Sequence, residues 1–179
     1  MGLYRLFRGV QTSHMARALN DTEKEIVEAV QTHGFFSMGV LAENGSPSFL
    51  YSIGFWETLD SPEVILLGLD GKVMHIMVWR LFRKMKDGLV VRDGMRIPDL
   101  LSGDFACVAR AAHTSQIQEY MLSARWYRRH RGKDELALKA YQIFWPSERT
   151  RLYPWDANCE PDVQQLQPLL YLPREVGLA

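Results

Sequence analysis

Only two cysteines, Cys107 and Cys159, occur in the 179 residues. They stand far apart and form no Cys-x-x-Cys pair, so neither a disulfide scaffold nor a zinc knuckle is written into the chain. A reducing cytoplasm is the expected compartment. Net charge is absent too, because 21 Lys and Arg balance 21 Asp and Glu. No global field then draws the chain to an anionic membrane, DNA or RNA, and nucleic acid is not an expected partner. No apolar run nears the ~18–20 residues that cross a bilayer, the longest being residues 64–69, so no transmembrane segment is expected.

Strong catalytic signatures are also missing. The chain has no Gly-x-Ser-x-Gly elbow, no P-loop, no Gly-x-Gly-x-x-Gly, no His-Glu-x-x-His and no EF-hand loop. Hydrolase, kinase and dehydrogenase readings weaken alike, and whether the chain is an enzyme stays open. His14, His33, His75, His113 and His130 never stand three or four apart, so no helical metal face is present and no metal is expected.

The 47% of hydrophobic and 23% of charged residues are those of a globular protein and exclude a disordered or collagen-like chain. The length suits one domain. Residues 1–19 form an N-terminal extension with Arg5, Arg8 and Arg17 but no acid before Asp21, and with Leu3, Leu6, Phe7 and Val10 at helical spacing. Two readings stand: a transit-like or surface helix, or a tag, since Ser13-His14-Met15 looks like the end of a cloning scar. Residues 20–179 are then a single domain, closing in a wrap rich in Pro, Trp and Tyr.

The local signals are orderly. Thr22 with Glu25 predicts a capping box, Ile26, Val27 and Val30 an apolar stripe, and Gly34 the stop. Asn44-Gly45 lies between alternating runs and predicts a hairpin with a longer loop. Residues 56–62 read as a loop and residues 64–69 as a central strand buried on both faces. Asp70 caps a predicted helix to about Lys86, with Val73, Ile76, Met77, Leu81 and Phe82 on its apolar side and Arg80, Arg83, Lys84 and Lys86 outside. Asp93-Gly94 predicts a second hairpin between residues 89–92 and 95–97, followed by a strand over residues 105–111. Ser115 with Gln118 starts a helix running to about Gly132, and residues 138–145 form a last strand. The class is α+β: a mostly antiparallel sheet, or a small, possibly split, β-barrel, of about six strands flanked by three or four helices.

Three sets of residues invite chemistry. Arg125, Arg128, Arg129 and Arg131, with Lys133, Trp126 and Tyr127, form a cationic run with no acid, which reads as an anion site or as a solvated helix end. Tyr51-Ser52-Ile53-Gly54 offers a hydroxyl beside a glycine that lets a ligand, or merely a bend, approach. His75 lies near a helix start, where the positive end favours neutral imidazole, or else it only packs. Cys107 inside a strand reads as an inert thiol.

Tyr51-Ser52-Ile53-Gly54-Phe55, Pro62-Glu63-Val64-Ile65, Gln142-Ile143-Phe144-Trp145-Pro146, Tyr153-Pro154-Trp155 and Gln167-Pro168-Leu169 follow in order a pattern that resembles the bacterial family called domain of unknown function 4262. Ser147 stands where that family tends to carry Asp, and Thr150 near its usual glycine. The resemblance implies a small cytosolic protein with no established activity and supplies no catalytic residue. In element order the chain is also similar to split-barrel flavin reductases, with Ser52, Ser61-Pro62-Glu63 and residues 64–69 in the matching places. That similarity implies a flavin as one cofactor to test; fold analogy alone does not establish function.

Two functions follow as expectations. One is a small-molecule-binding domain, redox or flavin-linked in its sharpest form, with an aromatic cleft of Tyr51, Trp56, Trp145, Tyr153 and Trp155 and polar groups from Ser52, His75 and Gln142 beside Gly54. The other is a non-enzymatic interaction or regulatory module whose exposed aromatics and arginines meet another protein or a second copy, as in a homodimer.

Overall fold

The computed structural model describes residues 18–174, so the expected N-terminal extension lies almost wholly outside the described residues. The strands are β1 (Phe36–Val40), β2 (Phe49–Ile53), β3 (Glu63–Leu67), β4 (Arg96–Pro98), β5 (Ala106–Ala111) and β6 (Ala140–Phe144). The helices are α1 (Asp21–His33), α2 (Phe55–Thr58), α3 (Gly71–Lys86), α4 (Thr114–Tyr120), α5 (Leu122–His130) and α6 (Pro161–Leu166). The strands form one six-stranded sheet in the order β1-β2-β3-β6-β5-β4. Every neighbouring pair is antiparallel except β3 and β6, which run parallel.

The α+β class and the six strands are as expected, but the barrel alternative is corrected: β1 and β4 end the sheet at opposite sides and do not pair. Helices cover both faces, and that layering needs an open sheet. On one face Leu50, Val64, Leu66 and Ile143 pack against Met74, Met77, Val78, Leu81, Phe82 and Met85 of α3. On the other, Tyr51, Ile53, Ile65 and Leu67 meet Ile26 and Val30 of α1, Ile117 of α4, and Ala124 and Tyr127 of α5. β3 is buried throughout, and each of its aliphatic side chains contributes about 1.5–3 kcal/mol.

Several boundaries shift for physical reasons. The α1 cap is Asn20, not Thr22: its side chain accepts the Glu23 N–H at 2.8 Å while Glu23 returns to the Asn20 N–H at 2.8 Å. α3 is rotated from expectation, with Val73 and Ile76 exposed and Met74, Val78 and Met85 inside. A stripe through Ile76 runs into Arg80 and Arg83, whereas the stripe through Met74, Met77, Val78, Leu81 and Met85 stays apolar to the helix end.

The Asp93-Gly94 hairpin does not form. The turn docks on β5 instead, with the Gly94 N–H on the Ala109 carbonyl at 2.8 Å and Asp93 Oδ1 accepting the Ala111 N–H at 2.7 Å. The loop expected over residues 56–62 is taken in its first part by α2, and the expected long helix breaks at Met121 into α4 and α5. With the short α2 and α6, this raises the count to six helices among the described residues.

Candidate functional site

Ser52 and Glu63 face each other across the β2–β3 pair, and both are fully buried. The Ser52 hydroxyl donates to Glu63 Oε2 and accepts the Val64 N–H at 2.9 Å. Glu63 Oε1 accepts the Gly54 N–H at 2.8 Å, and the carboxylate also receives N–H donors from Phe55 and Trp56. The acid therefore caps the first turn of α2 from inside the core. Burial pushes its pKa up, and these donors pull it partly back.

Gly54 allows the turn. Its φ is 111°, and a Cβ there would lie 2.8 Å from a Val30 methyl.

This anchored turn presents Trp56 and Glu57 to α5. Tyr127 donates its hydroxyl to Glu57 Oε2 at 2.6 Å, and Arg131 donates to Glu57 Oε1 through Nη2 at 2.6 Å and Nε at 3.0 Å. Burial and the Glu57 carboxylate raise the Tyr127 phenol, keeping it protonated as a donor. The Arg128 guanidinium lies 4.9 Å from the Trp56 ring centroid while its Nε holds the Asp134 carbonyl at 2.7 Å. Trp56, Glu57, Asp60, Arg128, Arg131 and Lys133 together line an open cleft of about 460 Å³. Three cations against two acids leave it electropositive, and Glu57 is already engaged by Arg131 and Tyr127.

The expected cationic run divides. Arg128 and Arg131 reach this cleft, whereas Arg125 and Arg129 turn to Glu135, at 3.3 and 2.7 Å.

The nine residues expected to share an aromatic cleft are not brought together. Tyr51 is buried with its hydroxyl accepting the Ser123 N–H at 3.3 Å. Tyr153 and Trp155 stack at 5.0 Å on the far end of the sheet, where Arg96 lies over Tyr153 and Arg110 between Trp155 and Tyr171. His75 is exposed and shares a 2.8 Å hydrogen bond with Ser37 Oγ of β1.

Gln142 and Trp145 belong to the seam under the C-terminal wrap. Gln142 donates to the Pro168 carbonyl and accepts the Leu170 N–H, both at 2.8 Å. Gln167 reciprocates on Trp145, accepting its N–H and donating to its carbonyl, both at 3.0 Å. The Trp145 ring N–H donates to the Leu67 carbonyl at 2.9 Å. Gly68 continues this seam: at φ 78° a Cβ would come within 2.5 Å of the Leu166 carbonyl.

Sequence reasoning missed Glu57, Asp60 and the partner role of Tyr127. The one available signal was an acid directly after Trp56, at the start of a helical turn. Among the described residues no group of three His, Cys, Asp or Glu is placed to hold a metal ion, and no helix is long and apolar enough to cross a membrane.

A family model described as domain of unknown function (DUF4262) matches residues 29–160. That span holds the Ser52–Glu63 node, the cleft and the Gln142 side of the seam, while Gln167 falls beyond it. No curated protein and no solved structure matches the chain.

Proposed function

We propose, for a chain that belongs to the DUF4262 family and so inherits no activity with its name, that the cleft between α2 and α5 binds a small anionic molecule carrying a flat ring. Arg128, Arg131 and Lys133 take the phosphate or carboxylate, Trp56 gives the ring a wall, and the pairing of Glu57 with Tyr127 and Arg131 holds the walls in register. The supporting observation is the Arg128 guanidinium over Trp56, beside an arginine and a lysine in one cleft. Arginine suits planar anions because its donors form a rigid fork.

A flavin nucleotide is one member of this ligand class, and it carries its own colour. The absorbance spectrum of the protein as purified, with mass spectrometry of whatever it releases on denaturation, tests the reading. Release of a ring-bearing phosphate or carboxylate supports it, and release of a cationic or wholly apolar molecule opposes it.

In this reading residues 20–179 act as one domain, with residues 1–19 an extension. The two cysteines, buried and free, fit a cytoplasmic protein. A second reading, an interaction module, is favoured by one edge of the sheet.

A further inference from the structure

The two edges of the sheet are built differently. β4 is three residues long, and two of them are Arg96 and Pro98. Charge, proline and shortness are the usual devices that stop an edge from pairing with another chain. β1 has none of them. Its five residues are Phe36-Ser37-Met38-Gly39-Val40, and the whole run of residues 34–42 carries neither charge nor proline. Among the described residues, no backbone hydrogen bond outside the ladder to β2 reaches residues 35–42. Val40 keeps 38% and Leu41 87% of its surface.

We propose that the β1 edge is the interface of a homodimer, in which β1 pairs antiparallel with β1 of a second copy about a two-fold axis at Met38. One sheet then runs through both protomers. A two-fold brings a strand against its own reverse, so each residue must tolerate a residue of the same strand. With the axis at Met38, Phe36 faces the second copy's Val40, Ser37 its Gly39, and Met38 its Met38. No like charges meet anywhere in the run, the condition that a charged edge would fail.

The space is free as well. A Cβ placed on Gly39 would meet nothing within 4 Å, so the Ser37 opposite it fits. The chain's zero net charge adds no long-range repulsion between copies. A short strand pair alone buries less than the roughly 800 Å² per partner of a standard interface. The exposed side chains of Leu41 and of Ile76, which follows the His75 bonded to β1, extend the apolar area.

The test is sedimentation equilibrium of the full chain at tens of micromolar, with Val40→Glu, Leu41→Glu and, as a control on a distant loop, the exposed Val90→Glu. The expected result is twice the 20.7 kDa chain mass for wild type and Val90→Glu, and the single mass for the Val40 and Leu41 variants, with unchanged circular dichroism showing that they fold. Hydrogen exchange over residues 36–40 should slow as concentration rises through the association. A wild type at single mass overturns the proposal, because the edge is then open or filled by another segment or partner. So does a dimer that survives both Val40→Glu and Leu41→Glu, since it must use another face.

Discussion

Tyr127 and Glu57, 70 residues apart in sequence, share a 2.6 Å hydrogen bond that joins α5 to the short helix α2. Removing it tests whether these walls hold each other. Tyr127→Phe deletes one hydrogen bond to a charged acceptor and leaves Glu57 to Arg131. It should cost about 1–2 kcal/mol in urea unfolding. No loss would mean that the Tyr127 hydroxyl does not hold the walls together and that Arg131 and Glu63 suffice to place α2.

Glu63 gives a pH signature. Its folded pKa is raised above the ordinary 4.5, so the folded state holds the proton more tightly than the unfolded chain. The stabilisation from the protonated form is therefore lost as pH rises from about 4.5 through the raised value. The stability difference between wild type and Glu63→Gln should fall across that window, whereas a difference that grows with pH would oppose the assignment. Glu63→Ala, which orphans the N–H groups of Gly54, Phe55 and Trp56, should cost at least about 2 kcal/mol at any pH.

Glu160 has the opposite sign. Its own backbone N–H and the Ser147 hydroxyl, then Thr150 and Arg149, hold its carboxyl down to about 2. Its stabilisation is present above the ordinary 4.5 and lost as pH falls toward 2. The two acids act on opposite sides of pH 4.5, so their variants separate them. Glu160→Gln should flatten the acid limb of the unfolding curve below that pH and leave the limb above it unchanged.

Gln142 and Gln167 close one seam from its two sides, each using both ends of its amide. Gln142→Ala leaves the Pro168 carbonyl and the Leu170 N–H without partners and should cost about 2–4 kcal/mol. Gln167→Ala should cost a similar amount through Trp145. Because both act on the same seam, the double variant should lose less than the sum. Full additivity would mean that the wrap is held at independent points.

Much of the fold was legible because its signals are local. The apolar run gave β3, Asp70 gave the start of α3, Gly34 the end of α1, and Asn44-Gly45 the hairpin of β1 and β2. Failures came where two local signals compete. Asn20 and Thr22 each precede a glutamate by three residues, and the cap went to Asn20. Val73 and Ile76 offered a second stripe that only the downstream arginines rule out. Asp93-Gly94 reads as a hairpin until its carboxylate is seen to hold the Ala111 N–H.

The candidate site was half legible for the same reason. Trp56, Arg128 and Arg131 stand out by type. Glu57 does not, because an acid beside a turn is ordinary until Tyr127 and Arg131 arrive from a distant helix. Gln142 and Ser52 stand out as polar groups near aromatics, yet Gln142 spends its hydrogen bonds on the Pro168 carbonyl and the Leu170 N–H, and Ser52 on Glu63 and the Val64 N–H.

The most direct test of the account is isothermal titration of the full chain and of Arg128→Ala with inorganic phosphate, adenosine monophosphate and flavin mononucleotide. The account predicts that a ring-bearing phosphate binds one to one and more tightly than inorganic phosphate. It also predicts that Arg128→Ala weakens that binding by about tenfold or more, as expected for a lost charge-assisted contact, with little change in Tm. Absence of binding by all three probes at millimolar concentration, or equal affinity in Arg128→Ala, would contradict it.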